Sequence, residues 1–421
     1  MRRRNIRLGI AVIAAVVVTC VVVWTVRNAR ALRSAESLVA ELRAAGLPTR
    51  FGDLRPRQPV PPEENAAPLY QAAHALYQAV AAPGEAFASI AERPPRITAE
   101  DRRLLPAYDD ALALVHRAAR LRACDYQLEF EDGLSMRVPH LLQSIQLAST
   151  LSARALARAE DGRVEDAIED VRAIFGMSRA LRGEPLLVSQ LVREKLNERA
   201  LLVLEAVLPR APSAGDALRR AEADTMAGAL AMGLRGEIVS LLSLTDGEVL
   251  ARYRAETGVP PEFRPGFLAL PSYRANAVAC ARLLRRLMSA TGEWAEVLSE
   301  AEAIEREARG LGMLESWITS CTGKVSSFAR IESMHRLARL AALFLDQRRA
   351  SGSYPESIEA VAGARDLFDP VTGGPFALRR EEGWLVLHSR YPGPRVAPHP
   401  MLGLDLPPEN WVVEWRLPAG K

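Results

Sequence analysis

The sequence predicts a mainly α-helical protein with one N-terminal transmembrane helix and a small antiparallel β module at its C-terminus. Three observations carry this: an uncharged apolar run near the N-terminus, long stretches of apolar residues at helical spacing through the middle, and short alternating segments beyond Gly352. The composition of the 421 residues, 49% hydrophobic and 25% charged, is that of a chain with a packed core, which excludes wholesale disorder, collagen and a small disulfide scaffold.

From Leu8 to Val26 the chain reads LGIAVIAAVVVTCVVVWTV, without a charge. At about 1.5 Å per residue such a helix covers roughly the 30 Å hydrocarbon core, and Trp24 falls where an interfacial aromatic belongs. Ala29-Arg30-Ala31 offers an A-x-A-like cleavage site. The apolar run is nevertheless longer than a signal-peptide core of about 7 to 15 residues, so it reads as an uncleaved anchor. Arginines crowd both flanks: Arg2, Arg3, Arg4 and Arg7 before it, Arg27, Arg30, Arg33 and Arg43 after it. The density of the first group places the tail in the cytoplasm and the rest of the chain outside the inner membrane.

An amphipathic stretch over 31–45 follows, then a segment over 46–62 broken by prolines and glycines, which reads as a linker. The helical body begins near Glu63. Thr98 and Asp101 form an N-cap arrangement for a run over 98–124. Leu141, Ile145, Ala148, Ala155 and Ala159 mark one helix. After Asp161-Gly162, a second is marked by Val164, Ala167, Ile168, Val171, Ile174 and Leu181. Together they predict an antiparallel hairpin, and residues 154–181 resemble part of a tetratricopeptide repeat, without a second copy at that period. Further helices are expected over 186–208, 214–244, 272–290, 293–309 and 314–349, with Pro260, Pro261, Pro265, Gly266 and Pro271 in a connection between the halves. Strands are expected over 375–380, 384–389 and 411–417, the first two joined by Glu381-Glu382-Gly383. The chain thus divides into residues 1–30 (tail and anchor), 31–62 (juxtamembrane helix and linker), 63–350 (helical domain with a sub-boundary near 255–271) and 351–421 (small α+β module).

Charge argues against a nucleic-acid partner. The chain has 54 basic and 51 acidic residues, all but Lys195, Lys324 and Lys421 of the basic ones being arginine. They are interleaved with glutamates rather than clustered along one stripe. The cysteines Cys20, Cys124, Cys280 and Cys321 form no CxxC pair, which leaves buried free thiols as the leading reading and Cys280 with Cys321 as the pair if the compartment oxidises one.

No catalytic residue, cofactor site or metal site is assigned. Glu332-x-x-His335 has the spacing of a di-iron motif, but a bundle of that type needs two copies plus two carboxylates, and the stripe of Ile331, Met334, Leu337, Ala338, Ala341, Phe344 and Leu345 explains it as core flank. Glu293, Glu296, Glu300, Glu302, Glu305 and Glu307 read as solvated helix surface, as do Glu165, Asp166, Glu169 and Asp170. There is no G-x-S-x-G, no His-Glu-x-x-His, and Thr322-Gly323-Lys324-Val325 lacks the glycine and hydroxyl of a phosphate loop. His74, His116, His140, His335, His388 and His399 are scattered singly.

Two patches resemble known proteins. EENAAPLY (63–70), with GSYPESIEAV and DPVTGGPFALRREEGWLVLHS within 352–389, resembles a diffuse group of membrane-anchored proteins in planctomycete- and myxobacterium-like bacteria, a likeness that implies no activity. The tail also resembles the C-terminal region of type II secretion pseudopilins through Tyr354-Pro355, Asp369-Pro370, Gly373-Gly374-Pro375 and Ser389. The N-terminus MRRRNIRLG has no prepilin cleavage motif, and Arg390-Tyr391-Pro392-Gly393 stands in place of the calcium loop, so this likeness implies a shared small β module. The function expected is that of a non-catalytic scaffold or protein-interaction module of the bacterial envelope. The alternatives are an envelope hydrolase with a dispersed site or an accessory component of a secretion system.

Overall fold

An uninterrupted apolar run flowing into residues at 3.6 spacing has no reason to stop being helical, and α1 (Arg2–Ala44) is one continuous helix. The computed structural model describes residues 2–56, 58–80, 95–226, 228–255, 266–290, 293–364, 367–390 and 413–419. Within α1 the segment from Ile10 onward is long and apolar enough to cross a membrane, and none of the residues of that apolar window is buried. Beyond it, Ala31, Ala35, Leu38 and Leu42 turn a stripe into the core. The A-x-A-like site thus lies inside a continuous helix, with Ala31 buried.

The stripe packs on α11 (Leu270–Ser289). Hydrogen bonds from Arg27 to Ser272 (3.1 Å), Arg274 to Asn28 (2.7 Å) and Arg282 to Ser34 (3.1 Å), and an ion pair of Arg285 with Glu41 (2.7 Å), rise together along both chains. The two helices therefore run parallel. Within the segment 46–62, expected as a linker, the part around 51–54 is ordered by Asp53, which accepts from Thr49 Oγ1 at 3.1 Å, and packs on the body through Leu54, buried with Phe130 and Val239.

The body is helical: α2 (Ala67–Ala79), α3 (Ala99–Leu104), α4 (Asp109–Ala118), α5 (Pro139–Glu160), α6 (Val164–Ala180), α7 (Leu187–Val207), α8 (Ala214–Ala221), α9 (Ala229–Ser243), α10 (Gly247–Ala255), then α11, α12 (Trp294–Ala308) and α13 (Glu315–Ser351). Thr98 caps α3 as expected, its hydroxyl accepting from the Asp101 amide at 3.0 Å. The α5–α6 hairpin turns at Gly162, whose φ of 78° suits a residue without a side chain. One core runs through residues on both sides of 255–271.

The helix expected over 214–244 is two helices. α8 ends at Glu222 in the left-handed region, and α9 begins after Gly228. Between them Asp224 is fully buried, because Arg193 of α7 draws it inward (Nε to Oδ2, 2.8 Å), an attraction no local periodicity reveals.

At the C-terminus β1 (Ala377–Glu381), β2 (Trp384–His388) and β3 (Glu414–Pro418) form an antiparallel sheet in the order β1-β2-β3, pairing Ala377 with His388 and Trp384 with Pro418. Trp415 and Leu417 are buried where the sheet meets α13. Asp369 organises the Asp-Pro-Val-Thr-Gly-Gly-Pro turn. Its buried carboxylate accepts from Ser333 of α13 (2.8 Å), the Val371 amide (3.1 Å), Thr372 (3.1 Å) and Ser389 (2.5 Å), and these bonds fasten the turn, the sheet and α13 together. Pro83, Gly84, Pro94, Pro260, Pro261, Pro265, His399, Trp411 and the Tyr391-Pro392-Gly393 stretch lie outside the described residues.

Candidate functional site

Among the described residues, a cleft of about 1510 Å³ lies at the end of α1 remote from the apolar run. The 63–70 motif braces one wall, the 119–126 segment, from behind. Asn65 grips the backbone of Asp125 in both directions, donating Nδ2 to its carbonyl (3.0 Å) and accepting its amide on Oδ1 (2.9 Å). The Ala66 amide adds a bond to the Ala123 carbonyl at 2.9 Å. Asn65 Oδ1 also receives the Ala67 amide (3.1 Å), which starts α2. From the other side α6 presses in at Gly176: a Cβ there would lie 2.5 Å from that of Ala119. The irregular chain after α4 is thereby pinned from two sides, and Arg120 and Arg122 are set on the cleft.

Arginine dominates the lining. Arg43 of α1, Arg120, Arg122 and Arg235 of α9 all face the cleft, are exposed, and have no side-chain partner among the described residues. Arg172 and Arg179 also line it, sharing Glu222 at 2.5 and 3.4 Å. Between these charges lie apolar surfaces from Leu47, Leu121, Leu128, Phe130 and Met232. The volume exceeds the roughly 300 to 1,000 Å³ of a small-molecule pocket, and the mixture of guanidinium and apolar surface suits an extended anionic chain.

Two lining residues of the cleft, Tyr126 and Glu184, contact buried groups of the kind catalysis uses, His140 and Ser189. Tyr126 stacks on His140 with ring centroids 4.1 Å apart. His140 Nε2 lies 2.9 Å from Glu184 Oε1, and Ser189 Oγ donates to Glu184 Oε2 at 2.5 Å. Glutamate is thus the hub, with serine and histidine both turned toward it. A nucleophilic serine needs its hydroxyl on the imidazole instead, so this arrangement orients Glu184 without activating Ser189. Burial, with the charge of Glu184, pushes the Cys124 thiol up to about 12, which keeps it protonated and poorly nucleophilic at neutral pH. Beside Cys124 the Tyr70 hydroxyl is buried without a hydrogen-bond partner among the described residues.

The remaining sequence candidates are dispersed. His335 sits in a sealed seam between α6, α7 and α13, its Nε2 3.0 Å from Asn197 Oδ1, and burial lowers it to about 4. Asn197 donates to Ser178 at 2.6 Å, and Ser178 donates to Asp224 at 2.8 Å, which closes a chain ending on Arg193. Glu332 lies by Arg336 at 3.7 Å. Thr322-Gly323-Lys324-Val325 lies within α13, not in a loop.

Asp170 corrects the expectation of a solvated acidic face. It is fully buried, held by Arg154 (2.7 Å), Arg158 (2.8 Å) and His116 (2.8 Å), whereas Asp166 and Glu169 remain outside with Arg163 and Arg172. On α12, Glu307 meets Arg286 at 2.8 Å. His74 is 3.1 Å from Gln146, and His388 is 2.9 Å from the Ser389 carbonyl. All four cysteines are free thiols, Cys280 and Cys321 buried and neighbouring.

Sequence reasoning missed the cleft because its arginines come from α1, the 120–122 segment, α6 and α9. The one local signal was the Arg-Leu-Arg at 120–122 beside a cysteine. Comparison of the chain with protein-family models, with curated proteins and with solved structures returns no match in any of the three.

Proposed function

We propose that this chain is a single-pass protein of the bacterial inner membrane whose helical body lies outside the cytoplasm and binds an acidic segment of a partner protein in the arginine-lined cleft. The observation that carries this reading is the set of four arginines without a side-chain partner among the described residues, Arg43, Arg120, Arg122 and Arg235, on one cleft with apolar surface between them. Arginine left without a carboxylate inside a concavity raises the local positive potential and attracts anions. A hydrolase is less well supported, because the Cys124 thiol is held protonated and Ser189 is bonded to Glu184.

The anchor reading is supported by the uncovered apolar window and by the helix that continues unbroken past Ala31. Peptide binding by the full-length protein in nanodiscs tests the cleft. A labelled peptide alternating glutamate and leucine should bind, weaken as salt rises, and lose at least tenfold in affinity in an Arg122→Glu/Arg235→Glu variant. Equal binding of a neutral peptide of the same apolar content would overturn the proposal. A C-terminal topology reporter tests the orientation, and activity only from a cytoplasm-specific reporter would reverse it.

A further inference from the structure

Phe267 and Leu268 stand in the turn that leads into α11, and they are 65% and 83% exposed, Leu268 being the most exposed large apolar side chain among the described residues. Because α11 runs parallel to α1, with Ser272 beside Arg27 and Arg274 beside Asn28, this turn comes down to the level of the apolar run. There Phe267 stacks on Trp24, centroids 4.4 Å apart and planes 18° from parallel, and the Trp24 indole donates to the Phe267 carbonyl at 2.9 Å. Trp24 lies two residues inside the end of the uncharged segment, about 3 Å by helical rise. A bilayer that surrounds this segment therefore reaches Phe267 and Leu268 as well.

We infer that Phe267 and Leu268 form a second membrane contact, inserted into the interfacial layer beside Trp24, so that the body is held to the bilayer at two points. The backbone of the turn is prepared for that layer, where an unpaired polar group is costly. The Phe267 carbonyl is taken by Trp24, the Ala269 amide donates to the Gly266 carbonyl at 3.0 Å, and Pro271 has no amide proton. Arg27, bonded to Ser272, supplies the cation that belongs at the headgroup level next to such a wedge. The chemistry is that of a lipid surface: two exposed apolar side chains continuous with an apolar helix and edged by arginine.

The inference rests on the reading of α1 as a membrane span, and one experiment separates the two. Benzoylphenylalanine is placed singly at Val23, Leu268 or Arg122 in the full-length protein, which is reconstituted in nanodiscs of phosphatidylethanolamine and phosphatidylglycerol and photolysed. Lipid adducts are expected at Val23 and Leu268, and none at Arg122. Adducts at Val23 without adducts at Leu268 overturn the second contact and leave the span intact. Absence at both overturns the span as well, and a protein adduct in place of lipid at Leu268 identifies a docking patch and overturns the inference. With the probe at Phe267, Leu268→Asp should cut the lipid yield at least fivefold at unchanged thermal stability, since the Leu268 side chain packs little against the protein. An undiminished yield contradicts the proposal.

Discussion

The seam between α6, α7 and α13 and the cleft at the end of α1 both take their charge from arginine, and they treat it in opposite ways. In the seam Arg193 is buried, and its guanidinium meets both oxygens of Asp224, at 2.8 and 3.2 Å, and the side chain of Gln190 at 3.2 Å. Close by, Arg330 of α13 lies between Glu194 (3.2 Å) and Glu198 (2.5 Å) of α7. Burial alone would raise Glu198, but Arg330 and then Lys195 outweigh it and hold the carboxyl down to about 2. In the cleft, whose lining also holds Asp53, Asp125, Glu184 and Glu222, the exposed Arg43, Arg120, Arg122 and Arg235 pair with no carboxylate among the described residues. A buried guanidinium needs a fully bonded anion to be tolerated, so a pair of that kind reports architecture. Exposed arginines gathered in a concavity serve no such end, and in the proposed function an acidic ligand pairs with them.

The most severe way to break this contrast is to remove one anion from the seam. Asp224→Ala strands Arg193 without its carboxylate and should cost about 3 to 5 kcal/mol in denaturant unfolding, whereas Arg122→Ala should change stability by less than about 0.5 kcal/mol. A loss in the Asp224 variant no greater than that in Arg122→Ala would erase the distinction.

Glu237 sharpens the contrast from the other direction, as a partly buried carboxylate served by a neutral donor. It accepts from Trp317 Nε1 at 2.6 Å, and burial, only partly offset by that bond, pushes it up to about 7 from an ordinary 4.5. The folded state then holds a proton that the unfolded chain has released, so stability falls as pH rises from 4.5 through 7. Glu237→Gln should add about 2 kcal/mol at pH 8 and almost nothing at pH 4. A gain independent of pH would show that the carboxyl is solvated. His335 acts at the acid end: lowered to about 4 from 6.5, it withdraws stability as pH falls below 6.5, a loss that His335→Gln should reduce.

A smaller effect is expected at the cleft. Reversing Arg122 and Arg235 together should weaken the acidic peptide tenfold or more, about 1.4 kcal/mol, with thermal unfolding unchanged. Smallest of all, Tyr70→Phe removes a buried hydroxyl that has no partner and should be neutral or stabilising by about 0.5 kcal/mol in denaturant unfolding. A clear loss would mean that the hydroxyl is bonded in solution.

The sequence was readable where the deciding contacts are local. The spacing of Ala31, Ala35, Leu38 and Leu42 marks an amphipathic stripe, Gly162 marks the hairpin turn, Thr98 and Asp101 mark a cap, and the Glu-Glu-Gly turn marks the β1–β2 hairpin. It misled where one long-range ion pair overrode a local pattern. Asp224 interrupts the apolar repeat over 214–244 because Arg193 lies 31 residues earlier, and Asp170 looks like part of an acidic face until α5 supplies Arg154 and Arg158. The Asp369 turn falls between these cases, its outline readable but its bond to Ser333 hidden. The cleft was invisible for the same reason, since nothing in the chain order brings Arg43 and Arg235 near Arg122.

That α1 continues without a break into the body has a mechanical consequence. From Val26 to Arg43 it rises about 25 Å as a stiff rod, and α11 runs beside it as a brace. The mouth of the cleft is thus fixed in height above the end of the apolar run, like a mark on a ruler, and any rotation of the rod about its axis turns the mouth through the same angle. A flexible tether would let the body search for its partner in all directions. This rod confines the search to one plane, and under the proposed function the acidic segment has to present itself at that level.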